Sequence, residues 1–537
     1  MLTAPLAPKA RLDRPTRLLL AVTAVYVFVR TALASPARLA TQAFDDACYF
    51  ARIAENVARG YGFTFDRINP TNGYQPMWEY LLIPVQALPL PPEQRFVIGM
   101  LLQVAMLALA SALLFRTLVR LLPGTSLLPA AALFVTFVFL ESVNGMETAT
   151  QVLALAMLVW AGWRWEVFAL ARPLPSFGLG VILGAALLAR LDGIFNVFAL
   201  GGVALVAALR ARERRAERLR GLSAIALGTL VAMAPYLAYN RMVFGAFVPI
   251  SGLLKSSFPH AALHGGLLAR FGVRGVAHLA LGLGFVLHYL AGLPREGDRP
   301  AGQRYLRAAI LVGALGMFGQ ATYALLFMKW ATFRWHFVWF AIVSTLIVAE
   351  ATRAWLARAV ERSAWRAAPV LAGGLLALAV AAQTVRADLR TPAYNWHRAA
   401  YDAAIWARTH VPEDAVLAMN DAGTFGYFSG RRVINLDGVV NTLGYQDTIR
   451  EQRWVDYLHS RGVTYIVKHD FGDIDYDDRV DIGTYRSVSY RVLSHRFDVW
   501  SDRTWLYRDD EVFRTREFRD QDKTVVAALW RWDGRKP

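Results

Sequence analysis

The stretch VIGMLLQVAMLALASALLFRTLV, residues 97–119, decides the fold class of this chain. It contains no acidic residue and is long enough to cross a hydrocarbon core of about 30 Å as a helix. Similar stretches recur, and with 55% hydrophobic and 18% charged residues the chain is too apolar for a soluble protein of its length. We therefore predict a polytopic α-helical membrane protein with about eleven spans. The predicted spans are residues 18–34, 97–119, 127–140, 149–163, 174–188, 194–209, 222–237, 272–293, 308–328, 335–349 and 368–385.

Basic residues alternate between the connections of these predicted spans. Arginines cluster after every second span, as in residues 210–220 and 353–366, and Lys9 lies in a basic N-terminal tail. Positively charged connections stay in the cytoplasm, so we predict a cytoplasmic N-terminus. The formal charge of +17 follows from this topology, which argues against a nucleic-acid partner.

The first predicted span also fits a secretory signal peptide, because a basic start and an apolar core precede Ala32-Leu33-Ala34. Whether this span is retained stays open, and the next loop lies outside in either case. Cys48 is the single cysteine, so no disulfide within the chain stabilises the part outside the membrane.

Residues 387–537 differ in composition from the predicted membrane domain, residues 1–386. Short apolar runs alternate with Gly, Asp and Asn turns after a helical pattern at 399–408, which predicts an extracytoplasmic α/β or α+β domain. The apolar runs are residues 415–419, 432–436, 464–467 and 487–492.

Polar residues that are unusual for a membrane protein gather on the predicted outer side. Because each pair of consecutive spans returns the chain to the same side of the membrane, these residues share one face, which indicates a site. They are Asp45, Asp46, Asn72, Tyr74, Glu147, Arg190, Asp192, Lys255, Lys329, Arg334 and His336. We expect His336 to be a packed interfacial histidine rather than a ligand.

The first outer loop, residues 35–96, contains a helical pattern at 47–59 with one apolar and one polar face, which predicts an amphipathic helix in the outer interface. Asp45 and Asp46 stand at its start. They either cap the helix or, with one pKa raised by its neighbour and by partial burial, act as a general base. Asn72 and Tyr74 lie in a turn that is either an anchor at headgroup depth or part of the site.

Motifs along most of the chain resemble bacterial GT-C glycosyltransferases that use polyprenyl-phosphate sugars, with similarity to terminal arabinofuranosyltransferases of actinobacterial walls and to mannosyltransferase-like proteins. The motifs are Phe44-Asp45-Asp46-Ala47, Gly60-Tyr61-Gly62-Phe63, Thr71-Asn72-Gly73-Tyr74-Gln75-Pro76-Met77-Trp78, Gly145-Met146-Glu147-Thr148, Arg190-Leu191-Asp192-Gly193, Asn420-Asp421-Ala422-Gly423 and Leu436-Asp437-Gly438. The resemblance implies a location in the bacterial cytoplasmic membrane, and it leaves the sugar, the acceptor and the subfamily open.

The resemblance implies transfer of a sugar to a glycan, lipid or protein acceptor with inversion at the anomeric carbon. It implies that Asp45, or alternatively Asp46, is the base, and that Glu147 and Asp192 orient sugar hydroxyls or support the base. Lys255, Lys329 and Arg334 either hold the donor phosphate or reach the lipid headgroups at the span ends.

The predicted outer domain has a short tether after the last span, so we expect it to help bind the acceptor. Asp421 and Asp437, each near a glycine, either form turns or hold sugar hydroxyls. A chain ending near Arg386 is then expected to bind donor while losing transfer to acceptor.

Neither zinc-ligand spacing nor a phosphate-binding glycine motif is present, so no cofactor is expected to be required. Whether a divalent cation binds at Asp45 and Asp46 stays open. Two alternative functions remain. A lipid or solute transporter, such as a flippase, predicts broken or charged spans at mid-membrane. A glycan-binding membrane scaffold without turnover leaves the two aspartates unexplained.

Overall fold

The computed structural model describes residues 11–170, 172–358, 368–388, 395–471, 478–482, 485–486, 499–520 and 523–534. Three of the features discussed above lie wholly or partly outside these residues: Lys9, positions 359–366 of the basic connection at 353–366, and the apolar run at 487–492.

The first part of the chain consists of helices joined mostly by short turns. In chain order they are α1 (Arg14–Leu33), α2 (Pro36–Gln42), α3 (Asp45–Ala58), α4 (Pro76–Gln86), α5 (Pro92–Leu121), α6 (Leu128–Phe134), α7 (Thr148–Arg164), α8 (Pro173–Ala189), α9 (Ile194–Arg210), α10 (Arg215–Phe244), α11 (Ile250–Lys255), α12 (Leu267–Ala291), α13 (Ala301–Leu326), α14 (Val338–Arg358) and α15 (Ala368–Asp388). A π-helical turn, Val135–Phe139, extends α6, and a 3₁₀ turn, Arg334–Phe337, precedes α14.

Seven helices in the described part of the chain are long and apolar enough to cross a membrane. They are Arg14–Leu33, Pro92–Leu121, Leu191–Arg210, Arg212–Phe244, Leu267–Ala291, Ala301–Leu326 and Arg334–Ala357. Large apolar side chains on them, such as Leu18, Phe198 and Leu230, are exposed, which suits contact with lipid rather than water. The other four predicted spans fall on α6, α7, α8 and α15, which are not among these seven helices. The predicted total of eleven therefore stays a prediction.

A sheet domain with flanking helices follows α15, in agreement with the predicted class. Its helices are α16 (Asn395–His410), α17 (Gly423–Ser429), α18 (Leu443–Arg450) and α19 (Trp454–Ser460). Its strands are β1 (Val416–Met419), β2 (Arg432–Asn435), β3 (Val463–Phe471), β4 (Arg479–Ile482), β5 (Tyr485–Arg486), β6 (Val499–Trp500), β7 (Thr504–Tyr507), β8 (Glu511–Arg514), β9 (Phe518–Asp520) and β10 (Lys523–Arg531). The predicted helix at 399–408 lies within α16, and the runs at 415–419, 432–436 and 464–467 fall on β1, β2 and β3.

The main sheet has the order β2-β1-β3-β10-β8, with β9 beside β10. Strand β1 pairs in parallel with β2 and with β3, whereas β10 is antiparallel to β3. Because the carboxyl ends of parallel strands meet at one edge of a sheet, the loops at 420–422 and 436–442 lie side by side. Helix α17, which follows the first loop, packs on α3 and thereby brings this edge to the first part of the chain.

The polar face of α3 is buried, whereas the sequence pattern predicted that it lies in an interface. Arg52 Nη1 is 2.5 Å from Glu55 Oε2, and Arg95 Nη2 of α5 is 2.7 Å from Glu55 Oε1. Arg52 also donates to the carbonyl of Arg431 in the sheet domain at 2.9 Å. The sheet domain covers this face and supplies a partner for its charges, which offsets the cost of burying them. The sequence pattern alone cannot show this contact.

Candidate active site

A cavity of about 770 Å³ lies where α3, α8, α9, α10 and α13 meet the sheet domain. One end is polar and the rest is apolar. Its polar lining includes Asp46, Glu147, Arg190, Asp192, Lys255, Gln320, Tyr323 and His336. Its apolar wall includes Leu183, Leu187, Leu200, Ile225, Met233 and Leu237. The cavity thus joins a charged end to an apolar channel between helices.

The apolar wall follows α10 from Leu237 to Leu222. At a rise of 1.5 Å per residue this stretch of helix is about 22 Å long, which is most of the thickness of a hydrocarbon core. A long apolar chain with a polar head matches both the length and the polarity of such a cavity.

Arg190 organises the charged end. Helix α8 stops at Ala189, because Arg190 has extended backbone angles of φ −155° and ψ 123°. Its guanidinium lies 2.5 Å from Glu147 Oε1 and 2.7 Å from Asp192 Oδ2. The positive charge is thereby matched by two carboxylates, and the three side chains hold one another in fixed orientations.

Asp45 and Asp46 face different parts of the molecule. Asp46 is half-buried and lines the cavity. Asp45 is buried, and its two carboxylate oxygens accept hydrogen bonds from the backbone N–H groups of Gly423 and Thr424 at 2.8 and 2.7 Å. Burial and the nearby Asp421 carboxylate raise the pKa of Asp45, whereas the hydrogen bonds with Thr424 and Gly423 lower it. Asp45 thus contacts the sheet domain rather than the cavity.

Asn72 positions the segment that carries Lys255. Its side-chain oxygen accepts from the N–H of Ile250 at 2.9 Å, and its amide donates to Asn240 Oδ1 at 3.3 Å. Asn72 is buried behind the cavity wall, to which its neighbours Gly73 and Tyr74 contribute. The turn is therefore built into the wall, and the Tyr74 ring stacks on Phe63 with centroids 5.0 Å apart.

The three cations predicted to contact phosphate are separated. Lys255 lines the cavity, with Nζ 5.5 Å from the centroid of the Trp330 ring. Lys329 is not part of the lining, and its backbone N–H donates to the carbonyl of Lys255 at 2.9 Å. Arg334 lines a different cavity, and its side chain is 65% exposed. His336 lines the first cavity and also stacks with Phe333 and Trp335, so its predicted role as a packed histidine stays a prediction.

The cavity also has polar lining residues that were not among the predicted site residues, and three of them make the contacts described next. Tyr49 lines the polar end from α3, and Tyr323 donates from its hydroxyl to Ser256 Oγ at 2.7 Å. Gln320 donates to Asp192 Oδ2 at 3.1 Å. A glutamine within an apolar span is itself a signal of function, and on that ground Gln320 was detectable from the sequence.

The comparisons with known proteins say little about this cavity. A family described as a domain of unknown function, DUF8728, matches residues 388–523. No curated protein matches the chain. The solved structure of the S. cerevisiae protein O-mannosyltransferase Pmt1-Pmt2 complex bound to the sugar donor aligns with 48% of this chain and 39% of its own, at 16% identity and a TM-score of 0.30. A structural similarity this weak does not establish a shared fold or a shared activity.

The segment that matches DUF8728 contains the loop at 436–442, which reaches the cavity. Val439 and Val440 line the cavity next to Gly73. A Cβ atom on Gly73 would lie 2.0 Å from the Val439 carbonyl oxygen, so only glycine permits this approach. The sheet domain therefore forms part of the cavity wall rather than standing apart from it.

Asp421 and Asp437 lie together at the same edge of the sheet. Asp437 Oδ2 accepts from the N–H of Asp421 at 2.9 Å, and Asp421 has a positive φ of 43°. Burial raises the pKa of Asp437, and the neighbouring Asp421 carboxylate raises it further. Within the described residues, no group of three or more His, Cys, Asp or Glu is arranged to hold a metal ion.

Proposed function

We propose that this chain is a membrane glycosyltransferase that moves a sugar from a polyprenyl-phosphate donor to a hydroxyl group outside the cytoplasm. The observation that carries the proposal is the cavity itself, whose charged end continues into an apolar channel along α10. A sugar joined through phosphate to a long isoprenoid chain has the same order of polar and apolar parts. The motifs quoted above agree with this assignment.

Asp46 is the base in this proposal. It is the member of the acidic pair that lines the cavity, whereas both carboxylate oxygens of Asp45 accept backbone hydrogen bonds. The acceptor oxygen bonds to the anomeric carbon from the face opposite the phosphate, and its proton passes to the Asp46 carboxylate. The bond between the anomeric carbon and the phosphate oxygen breaks, so polyprenyl phosphate leaves with the bonding electrons and the configuration inverts.

The leaving phosphate needs a positive charge that is not already neutralised. Arg190 is matched by Glu147 and Asp192, while Lys255 contacts the face of an aromatic ring. Lys255 is therefore the proposed phosphate ligand. Glu147 and Asp192 orient sugar hydroxyls, with Arg190 holding both carboxylates in place. No cofactor enters this scheme, so we propose that chelators leave the activity unchanged.

The sheet domain contributes to the site in this scheme. Val439 and Val440 lie on the cavity wall, and Asp421 and Asp437 lie at the adjacent edge of the sheet. An acceptor glycan that approaches from outside would meet this edge before it reaches Asp46. We propose that the domain helps to bind the acceptor and also closes the donor cavity.

The decisive experiment follows a radiolabelled polyprenyl-phosphate sugar with the purified full-length protein. Pentose and hexose donors are tested separately, with short glycans as acceptors. We expect release of polyprenyl phosphate together with movement of label to the acceptor, and loss of both in Asp46→Asn. The same donor in sealed vesicles tests transport, because a transporter moves the intact molecule. A protein that binds these donors but neither consumes nor transports them would be a scaffold.

A further inference from the structure

A second cavity, of about 500 Å³, lies beside the first, with Thr332 and Phe337 lining both. It is formed by the start of α12, the turn before α14, the π-helical extension of α6 and the 3₁₀ turn, Leu140–Ser142, that follows this extension. Its charged lining consists of Arg270, Arg274, Arg334 and Glu141. The proposed transfer of sugar makes no use of this cavity.

Positive charge exceeds negative charge in this second cavity. Glu141 is its one acidic lining residue within the described part of the chain. Arg274 Nη1 and Arg334 Nη1 lie 3.1 and 3.6 Å from the same atom, Glu141 Oε1. A single carboxylate therefore serves two guanidinium groups. Such an arrangement leaves room for a second anion.

Arg270 adds a third positive charge, and its nearest partners carry none. Its guanidinium donates to the backbone carbonyls of Met328 and Trp330, and its Nε is buried with no hydrogen-bond acceptor. Carbonyl groups orient the side chain but do not neutralise it. Close to a hydrocarbon core, an uncompensated charge is costly unless an anion approaches it.

Apolar side chains surround these arginines. Leu268 and Val273, which line the cavity, are 64% and 78% exposed. Phe137 lies under Arg274, whose Cζ is 5.5 Å from the ring centroid, and Phe333 is also exposed. An anionic ligand that carries its own hydrocarbon covers such a surface, whereas a free ion leaves it in water.

We propose that this second cavity binds the phosphodiester head group of an anionic membrane phospholipid. Arg274 and Arg334, each more than half exposed, contact the phosphate oxygens, for which the planar guanidinium has suitable geometry. The exposed residues at the start of α12 contact the acyl chains. The charged residues of the second cavity do not line the donor cavity, so the proposal goes beyond sugar transfer and does not depend on it.

The test measures lipid binding to the full-length protein in detergent by native mass spectrometry. The probes are dioleoylphosphatidylglycerol and, as the zwitterionic control, dioleoylphosphatidylcholine. We expect tighter binding of phosphatidylglycerol. Each of Arg274→Gln and Arg334→Gln should weaken it about fivefold, which is the effect of one basic residue on attraction to anionic lipid. Equal affinities for the two lipids, or no change in either variant, would overturn the proposal.

Matched variants exclude general effects of charge and folding. Arg241→Gln removes an exposed arginine that donates to the carbonyl of Gly245 at the end of α10 and does not line the second cavity, so phosphatidylglycerol affinity should be unchanged. Glu141→Gln removes the competing carboxylate and should tighten binding, a gain that a damaged protein would not show. A loss of affinity in Glu141→Gln would contradict the proposal.

Two competition experiments identify the source of the phosphate. Inorganic phosphate at the concentration of the lipid should not displace phosphatidylglycerol, because it covers none of the apolar surface. A polyprenyl-phosphate sugar should bind in addition to phosphatidylglycerol. Displacement by inorganic phosphate would show a simple anion site, and exchange of one phospholipid for one donor would show that the two cavities hold the same ligand. Either result would refute the proposal while leaving sugar transfer to be judged by its own assay.

Discussion

The carboxylate of Asp45 accepts a hydrogen bond from the backbone N–H of Gly423 at 2.8 Å, across a separation of 378 residues. A Cβ atom on Gly423 would lie 2.2 Å from the Asp45 carbonyl oxygen, so the two backbones touch. This contact joins the start of α3 to the start of α17. It places the sheet domain directly over the acidic pair and leaves Asp46 as the carboxylate that faces the cavity.

Replacement of Asp46 should affect catalysis far more than folding. We expect Asp46→Asn to lower the rate of sugar transfer about 10²- to 10⁴-fold, because the amide has the same shape but cannot accept the hydroxyl proton. Donor affinity, measured with the intact labelled lipid, should change little. Asp402→Asn is a suitable control, since Asp402 pairs with Arg398 away from the cavity. Near-normal turnover in Asp46→Asn would assign the base elsewhere.

Loss of Arg190 should destabilise the protein through the carboxylates that it leaves behind. Glu147 and Arg190 are both buried and only 2.5 Å apart, so Arg190→Met should cost about 3–5 kcal/mol, as expected when one partner of a buried pair is removed. Thermal unfolding in detergent measures this effect. The double variant Arg190→Met with Glu147→Gln should recover part of the loss. A double variant less stable than the single one would show that the pair is not the source of the effect.

Gly73 should be intolerant of alanine because of the sheet domain. In Gly73→Ala the new methyl group would meet the Val439 carbonyl, which must move away. We expect weaker donor binding and faster proteolysis of the loop at 436–442. Gly202→Ala in α9 is the matched control, because no atom lies within 4 Å of the added methyl group. Equal donor affinity in both variants would indicate that the Val439 loop does not close the cavity.

Stability should depend on pH through Asp437. Its pKa is raised in the folded protein, chiefly by burial, so the folded state holds the proton more tightly than the unfolded state. The resulting stabilisation is complete below about pH 3.9, the ordinary pKa of an aspartate. It is lost as the pH rises through the raised pKa of the folded state.

Asp437→Asn keeps an oxygen that can accept from Asp421 but cannot ionise. Relative to the natural protein, this variant should therefore become more stable as the pH is raised from about 4 to about 8. Thermal unfolding of both proteins across this range gives the difference directly. A difference that does not vary with pH would show that Asp437 titrates as an ordinary exposed carboxyl group.

Much of the architecture was predictable, because it depends on local properties of the chain. The length and apolarity of residues 97–119 suffice to indicate a membrane helix, and the strands β1, β2 and β3 follow from short apolar runs between turn residues. The grouping of Glu147, Arg190, Asp192 and Lys255 on one side was also expected, and the structure places all four on one cavity.

Tertiary structure alone decided which of two adjacent residues faces the cavity. Asp45 and Asp46 are equivalent in the sequence, yet the side chains of successive helical residues point about 100° apart. Because the sheet domain packs on the side of Asp45, only Asp46 faces the cavity. In the same way, the covered polar face of α3 and the separation of Arg334 from Lys255 depend on contacts between distant segments. Local pattern reports how polar a residue is, whereas its partner is set by the folding of the whole chain.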